Sequence, residues 1–180
     1  HEPDTPGYAR FRRAVRARRI PYTSGRDGLV LHAGRCLRLE FLHPPPLFTG
    51  LAEHDPNEVS LAFRMRFDNR SALFTGDIGH WAEALILRQH GPAALRCDVL
   101  KVPHHGSATS SSPAFLDAAA PRMAVISAGR ENMYGHPHPL VLERYRRRNI
   151  RVLRTDRHGD IDIFLPPRGD IRVHTQFRPE

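Results

Sequence analysis

The sequence predicts an α+β domain in which helices cover a mixed sheet. Three observations carry that expectation. The N-terminal part alternates apolar and polar residues at the two-residue period of strands. The C-terminal part runs strand, helix, strand, helix, strand. Three of the strands deliver aspartate or histidine at their C-terminal ends, which is how such a scaffold gathers a metal or catalytic site from distant residues.

The elements follow in order. Tyr8–Ile20 carries apolar residues at 8, 11, 15 and 20 among many arginines, a basic amphipathic helix that Pro21 ends. Leu29–His32 and Arg35–Leu42 are strands around an Ala-Gly turn, and His43–Pro56 is a proline-rich loop. Glu58–Phe67 alternates Val59, Leu61, Phe63, Met65 and Phe67 with polar or small residues, as a half-buried strand does. Asp68-Asn69-Arg70 turns it into Ser71–Thr75, a hairpin. Ile78–Gln89 is a helix stopped by Gly91-Pro92, and Asp98-Val99-Leu100 is a short buried strand. Ser112 caps a helix that opens on Pro113 and runs to Ala119. Met123–Ala128 is a strand, Pro139–Arg148 a helix and Arg151–Thr155 a strand. Asp160–Leu165 and Ile171–His174 close as a hairpin around Pro166–Gly169. No internal repeat or low-complexity linker interrupts the 180 residues, a length suited to one domain.

No apolar run approaches the ~18 residues needed to span a bilayer, and the N-terminus lacks a signal-peptide pattern. The formal charge is +8, and Lys101 is the only lysine among 27 basic residues. Arginine grips two phosphate oxygens with its planar fork, so the balance favours an anionic partner such as nucleic acid. A GC-rich coding bias would explain arginine in place of lysine but not the net charge. Cys36 and Cys97 lie in or near apolar strands and form no Cys-x-x-Cys motif, so both are expected to be buried thiols.

The chemistry-bearing residues sit at strand ends. Asp77 follows Thr75-Gly76, where a carboxylate can bridge two cations or simply cap the next helix. His104 and His105, read as extended, point to opposite sides, so that one can bind a metal while the other faces substrate. Gly106-Ser107 lets backbone approach closely. His136 and His138 flank Pro137 and suit either a phosphate contact, a general acid or the cap of the helix at Pro139. Asn57 and Ser60 stand close enough in sequence to line the same pocket, or are plain loop and strand polars. His43, His54 and His80 read as surface residues.

Four motifs in this order carry a family resemblance: Asn-Glu-Val-Ser-Leu at 57–61, Phe-Thr-Gly-Asp at 74–77, Leu-Lys-Val-Pro-His-His-Gly-Ser at 100–107 and Tyr-Gly-His-Pro-His at 134–138. Over residues 8–165 the chain resembles the metallo-β-lactamase-like domain of ComEC-type competence proteins. The resemblance implies an αββα sandwich and two divalent ions, manganese or zinc. It implies Asp77 as the bridging carboxylate and His105 as a ligand, with His104, Ser107, His136 and His138 on the substrate side. Asn57 stands where many relatives carry histidine, and its neutral amide is a poorer ligand than an imidazole. The family's first motif, His-x-His-x-Asp-His, does not occur in the chain, so residues 1–180 are expected to form one N-terminally incomplete domain. The implied function is a nuclease domain of a DNA-uptake channel protein of the bacterial cytoplasmic membrane, on its extracytoplasmic side. It would degrade the non-transported strand, with single-stranded DNA and the membrane portion of the same protein as partners. A non-catalytic DNA-binding or gating module and a phosphodiesterase for a small substrate remain the alternatives.

Overall fold

In the computed structural model, residues 5–46 and 55–177 are described. Seven strands form one sheet in simple sequential order: β1 (Val30–Ala33), β2 (Leu37–His43), β3 (Ala62–Phe67), β4 (Arg70–Phe74), β5 (Val99–Lys101), β6 (Met123–Ile126) and β7 (Arg151–Arg154). Strands β1 to β4 pair antiparallel. From β4 to β7 the pairing is parallel. The switch at β4 follows from the connections, because tight turns join β1 to β2 and β3 to β4 antiparallel whereas parallel neighbours need a crossover. Helices α2 (His80–His90), α3 (Pro92–Leu95), α4 (Pro113–Ala119) and α5 (Pro139–Arg146) supply those crossovers. Short α6 (Thr155–His158) leads to a separate hairpin, β8 (Ile161–Phe164) with β9 (Arg172–Thr175). The N-terminal α1 (Pro6–Ala17) buries none of its residues.

The sheet has two different faces because side chains alternate along each strand. Leu73, Leu100, Ala124 and Ile126 point to one side and join Ile86, Phe115, Leu116, Val141 and Tyr145 in the main core. Each fully buried large apolar side chain there contributes about 1.5–3 kcal/mol. On the other side, Met65, Phe74, Val99 and Val125 face Ile161 and Ile163 of the small hairpin across a gap of about 270 Å³. The mixed sheet with covering helices that the pattern predicts is therefore present, and the β8–β9 hairpin matches its expected position. No helix among the described residues is long and apolar enough to cross a membrane.

Several local expectations are corrected. The strand expected from Glu58 begins only at Ala62, and Pro56–Val59 is a 3-10 turn. Asp55 accepts the Asn57 amide at 2.9 Å and starts that turn, and Pro56 suits a first helical position. His43 is fully buried rather than a surface residue, because its Nε2 sits 2.7 Å from the Glu58 carbonyl. His54 lies outside the described residues. Cys97 is buried as expected, but Cys36 is exposed at the corner between β1 and β2.

Candidate functional site

Strands β4, β5 and β6 run parallel, so their C-terminal ends share one edge of the sheet, and the loops that leave them carry Asp77, the 103–107 turn and the 127–138 segment. In open sheets of this kind that edge is where ligands bind.

The β4 corner is built on Gly76, whose φ is +52°. A Cβ there would lie 2.8 Å from Ser60 Cβ, so only glycine fits, and Ser60 is packed directly against the corner. The corner aims Asp77 away from the helix that follows. Gly79 occupies the α2 cap position, and its amide and that of Ala82 donate to Glu58 Oε2 at 3.3 and 2.9 Å. Glu58 thus satisfies the helix start, which leaves Asp77 for something else. Asp77 Oδ1 lies 3.5 Å from His105 Nε2 and 3.5 Å from Lys101 Nζ.

His104 and His105 are not extended. Both adopt left-handed backbone, φ +46° and +54°, inside the 3-10 turn Pro103–Gly106. The turn is held by His104 N donating to the Gly76 carbonyl at 3.2 Å and Ser107 N to the His104 carbonyl at 2.8 Å. The two rings still diverge, edge to face with centroids 6.5 Å apart. His105 Nδ1 lies 2.7 Å from the Ser127 carbonyl. A carbonyl can only accept, so Nδ1 carries a proton, and in the neutral ring Nε2 presents its lone pair towards Asp77. That is the arrangement of a metal-ligating histidine, one nitrogen fixed by a backbone acceptor and the other open.

His104 turns instead to His136, with ring centroids 5.9 Å apart, and Tyr134 stacks on the far side of His136 at 5.9 Å. Asn132 clamps the His136 backbone, accepting its N–H at 2.9 Å and donating to its carbonyl at 2.7 Å. His136 Nδ1 is buried without a hydrogen-bond partner among the described residues. Burial first, then the neighbouring His104, His105 and His138, push the His136 pKa down, so it favours the neutral imidazole. An open cleft of about 290 Å³ is lined by His105, Ser127, Asn132, Tyr134 and His136.

The other expected residues are more committed. His138 is the N-cap of α5, its Nδ1 accepting the Leu140 amide at 3.2 Å. Ser107 is buried, and its hydroxyl lies 3.0 Å from Thr109 Oγ1. Asn57 is joined by its backbone to Asp55 and Ser60 rather than to Asp77. The structure therefore brings Asp77, His104, His105 and His136 together, whereas the Ser107 hydroxyl closes its own turn.

Residues that the sequence pattern gave no place at the site hold its frame. Glu83 is fully buried and accepts the Ser111 and Ser112 amides at 2.5 and 2.8 Å. Arg144 Nη1 donates to the Ser110 and Ser111 carbonyls at 2.8 and 3.1 Å. Lys101 Nζ donates to the Gly76 carbonyl at 2.9 Å, and burial pulls its pKa down against the opposing pull of Asp77.

Two ligands on one tetrahedral zinc-sized ion lie about 3.4 Å apart. The 3.5 Å between Asp77 Oδ1 and His105 Nε2 suits a shared cation as well as an ion pair. Among the described residues, no group of three or more histidine, cysteine or acidic side chains is arranged to hold a metal ion.

A mixed sheet with Asp and His gathered at the carboxyl ends of its parallel strands defines a scaffold for polar chemistry at one edge. The comparisons with known proteins narrow this. No family model matches the chain. It is 41% identical over 122 residues to ComE operon protein 3 of Bacillus subtilis, covering 67% of this chain and 16% of that protein. It is 38% identical over 119 residues to competence protein ComA of Neisseria gonorrhoeae, covering 66% of this chain and 17% of that one. Recombination protein 2 of Haemophilus influenzae is 38% identical over 154 residues, 82% of this chain and 18% of its own length. The chain is thus homologous, over about two thirds of its length, to competence proteins of the ComEC type. It spans less than a fifth of the length of these relatives.

Proposed function

We propose that this chain is the metallo-β-lactamase-like nuclease part of a DNA-uptake channel protein, cleaving phosphodiester bonds of the strand that is not transported. The observation that carries the reading is the Asp77–His105 pair: a carboxylate oxygen and an imidazole nitrogen 3.5 Å apart, the imidazole tautomer fixed by the Ser127 carbonyl. Asp77 and His105 fit two ligand positions of one divalent cation. A two-ion centre needs further ligands, which in this reading come from outside the described residues. A bound divalent cation would supply Lewis acidity to a phosphate oxygen. This chain's own residues would do the rest. Neutral His136, beside His104, lines the cleft and can serve in proton transfer there. Tyr134, 75% exposed and stacked on His136, offers a face on which a base can stack.

Backbone attraction falls to α1. Arg10, Arg13, Arg16, Arg18 and Arg19 have no acidic partner among the described residues. The arginines near α5 are more committed than their number suggests: Arg146 and Arg147 pair with Glu143, Arg148 pairs with Asp117, and Arg144 binds carbonyls. The likeness to proteins named for competence and recombination supports DNA as the anionic partner.

The test is degradation of labelled single-stranded DNA with added manganese, by this chain and by an N-terminally extended form, each beside its Asp77→Ala variant. Cleavage that Asp77→Ala abolishes while salt-sensitive DNA binding persists is the expected result. Bound manganese with no cleavage would select a different ester substrate. Neither cleavage nor bound metal would select a DNA-binding or gating module, the second reading, which the lack of a three-ligand cluster among the described residues favours.

A further inference from the structure

We infer that Lys101 is the positioning residue of this site: its ammonium ties the Gly76 carbonyl to the Asp77 carboxylate and so holds Asp77 against His105. The use made of that pair rests on the metal reading above, but the positioning itself is a matter of geometry.

Of 27 lysine and arginine residues, only Lys101 is lysine. Whatever favours arginine elsewhere in the chain does not do so here. Lysine and arginine differ in shape as much as in charge: an ammonium is a compact tetrahedral donor, whereas a guanidinium is a longer planar fork. The acceptors at this corner are met by the compact donor. Nζ lies 2.9 Å from the Gly76 carbonyl and 3.5 Å from Asp77 Oδ1, acceptors on successive residues of a tight turn. A longer, planar fork at this strand position would set its donors differently against these two oxygens.

Lys101 also belongs to a lacing between two strand ends. Its own carbonyl accepts from Thr75 Oγ1 at 2.8 Å. The Gly76 carbonyl accepts both Lys101 Nζ and the His104 amide. Gly76 is at φ +52° with no room for a side chain, so the orientation of its carbonyl sets the direction in which Asp77 leaves the corner. Without the ammonium, the His104 amide alone would hold that carbonyl.

The approach of the side chain is also fixed. The Lys101 side chain lines the gap beneath the small hairpin together with Phe74, Val99, Val125 and Ile163. An aliphatic stem packed in an apolar slot with its charged end emerging at a polar corner gives the ammonium one direction of reach. The opposite partner is equally constrained, since the Ser127 carbonyl holds His105 from behind. Lys101 supplies for Asp77 what Ser127 supplies for His105.

The experiment compares the chain with Lys101→Met, which keeps the stem, and Lys101→Arg, which keeps the charge. Hydrogen exchange of the His104 amide is the primary readout, because its acceptor is the carbonyl that Lys101 holds and it needs no metal. Global stability is measured by denaturation, and manganese affinity by calorimetry. In both variants the His104 amide should exchange about tenfold faster or more, beyond any change in global stability. Manganese affinity should fall by a similar factor in both. Unchanged His104 exchange in Lys101→Met would overturn the inference, as would full restoration by Lys101→Arg, since charge alone would then suffice. Should Lys101→Met not fold, Lys101→Arg carries the same exchange test. A parent chain that binds no manganese would overturn the metal reading instead, and the exchange result would still decide the role of Lys101.

Discussion

Replacing Gly106 by alanine tests whether the two histidine-bearing loops form one unit. Gly106 closes the 103–106 turn at φ +81°, and an added Cβ would lie 2.7 Å from Pro137 Cβ and 3.2 Å from Pro137 Cα. Two costs follow. Left-handed backbone penalises an L side chain by roughly 1–2 kcal/mol. Relieving the contact costs a further 1–3 kcal/mol or so, the usual range for forcing an extra carbon into a packed site. The neighbour cannot yield cheaply, because the proline is a ring built into the backbone, and the His138 amide donates to the Gly106 carbonyl at 2.9 Å. Gly106→Ala should therefore destabilise the fold by about 2–5 kcal/mol. It should also part the His104 and His136 rings, now 5.9 Å apart. The assay is urea denaturation with parallel NMR of the two imidazoles. A loss below about 1 kcal/mol with both imidazole signals unmoved would refute the argument that Gly106 is needed for close approach.

Two further outcomes are expected. Burial raises the Glu83 pKa above its ordinary value, against the opposing pull of the Ser111 and Ser112 amides. The folded state then holds this proton more tightly than the unfolded one, so the stability linked to it is full below the ordinary carboxylate value and is lost as pH rises through the raised value. Glu83→Gln should flatten that part of the stability–pH curve and, leaving one amide facing an NH₂ group, cost about 1–3 kcal/mol near neutral pH. An unchanged slope in a denaturation series across pH 4–8 or so would contradict it. On α1, changing Arg10, Arg13 and Arg16 to glutamine should weaken single-stranded DNA binding. It should also reduce the slope of log affinity against log salt by about 2, three lost phosphate contacts at about 0.7 each. A titration series at several salt concentrations in which the slope stays the same would remove α1 from the interface.

What the sequence reveals and hides follows from the range over which each signal acts. Asp77 and the 104–107 loop were legible because a buried strand followed by Gly or Pro and then a polar residue is punctuation that reads locally. The Ser112 cap was legible for the same reason, and its side chain does accept the Phe115 amide. Glu58, Glu83 and Arg144 were not, because each serves backbone groups more than twenty residues away that no local pattern names. Burial of His43 likewise depends on the Glu58 carbonyl, not on its neighbours in the chain. The left-handed backbone at His104 and His105 was hidden because neither is glycine, and an extended reading is the default for a strand exit. Lys101 was visible as the single lysine, but only the strand ends assembled around Gly76 give it a task.

The central claim is that Asp77 and His105 together hold a divalent cation. The most direct measurement is a manganese titration of histidine-labelled protein, following paramagnetic broadening of each imidazole in the chain and in Asp77→Ala. The expected result is that His105 broadens first and most at low manganese, with His104 and His136 following, and that Asp77→Ala abolishes the selectivity. Equal broadening of His105 in Asp77→Ala, or no preference for His105 over the cap histidine His138 in the parent chain, would contradict it.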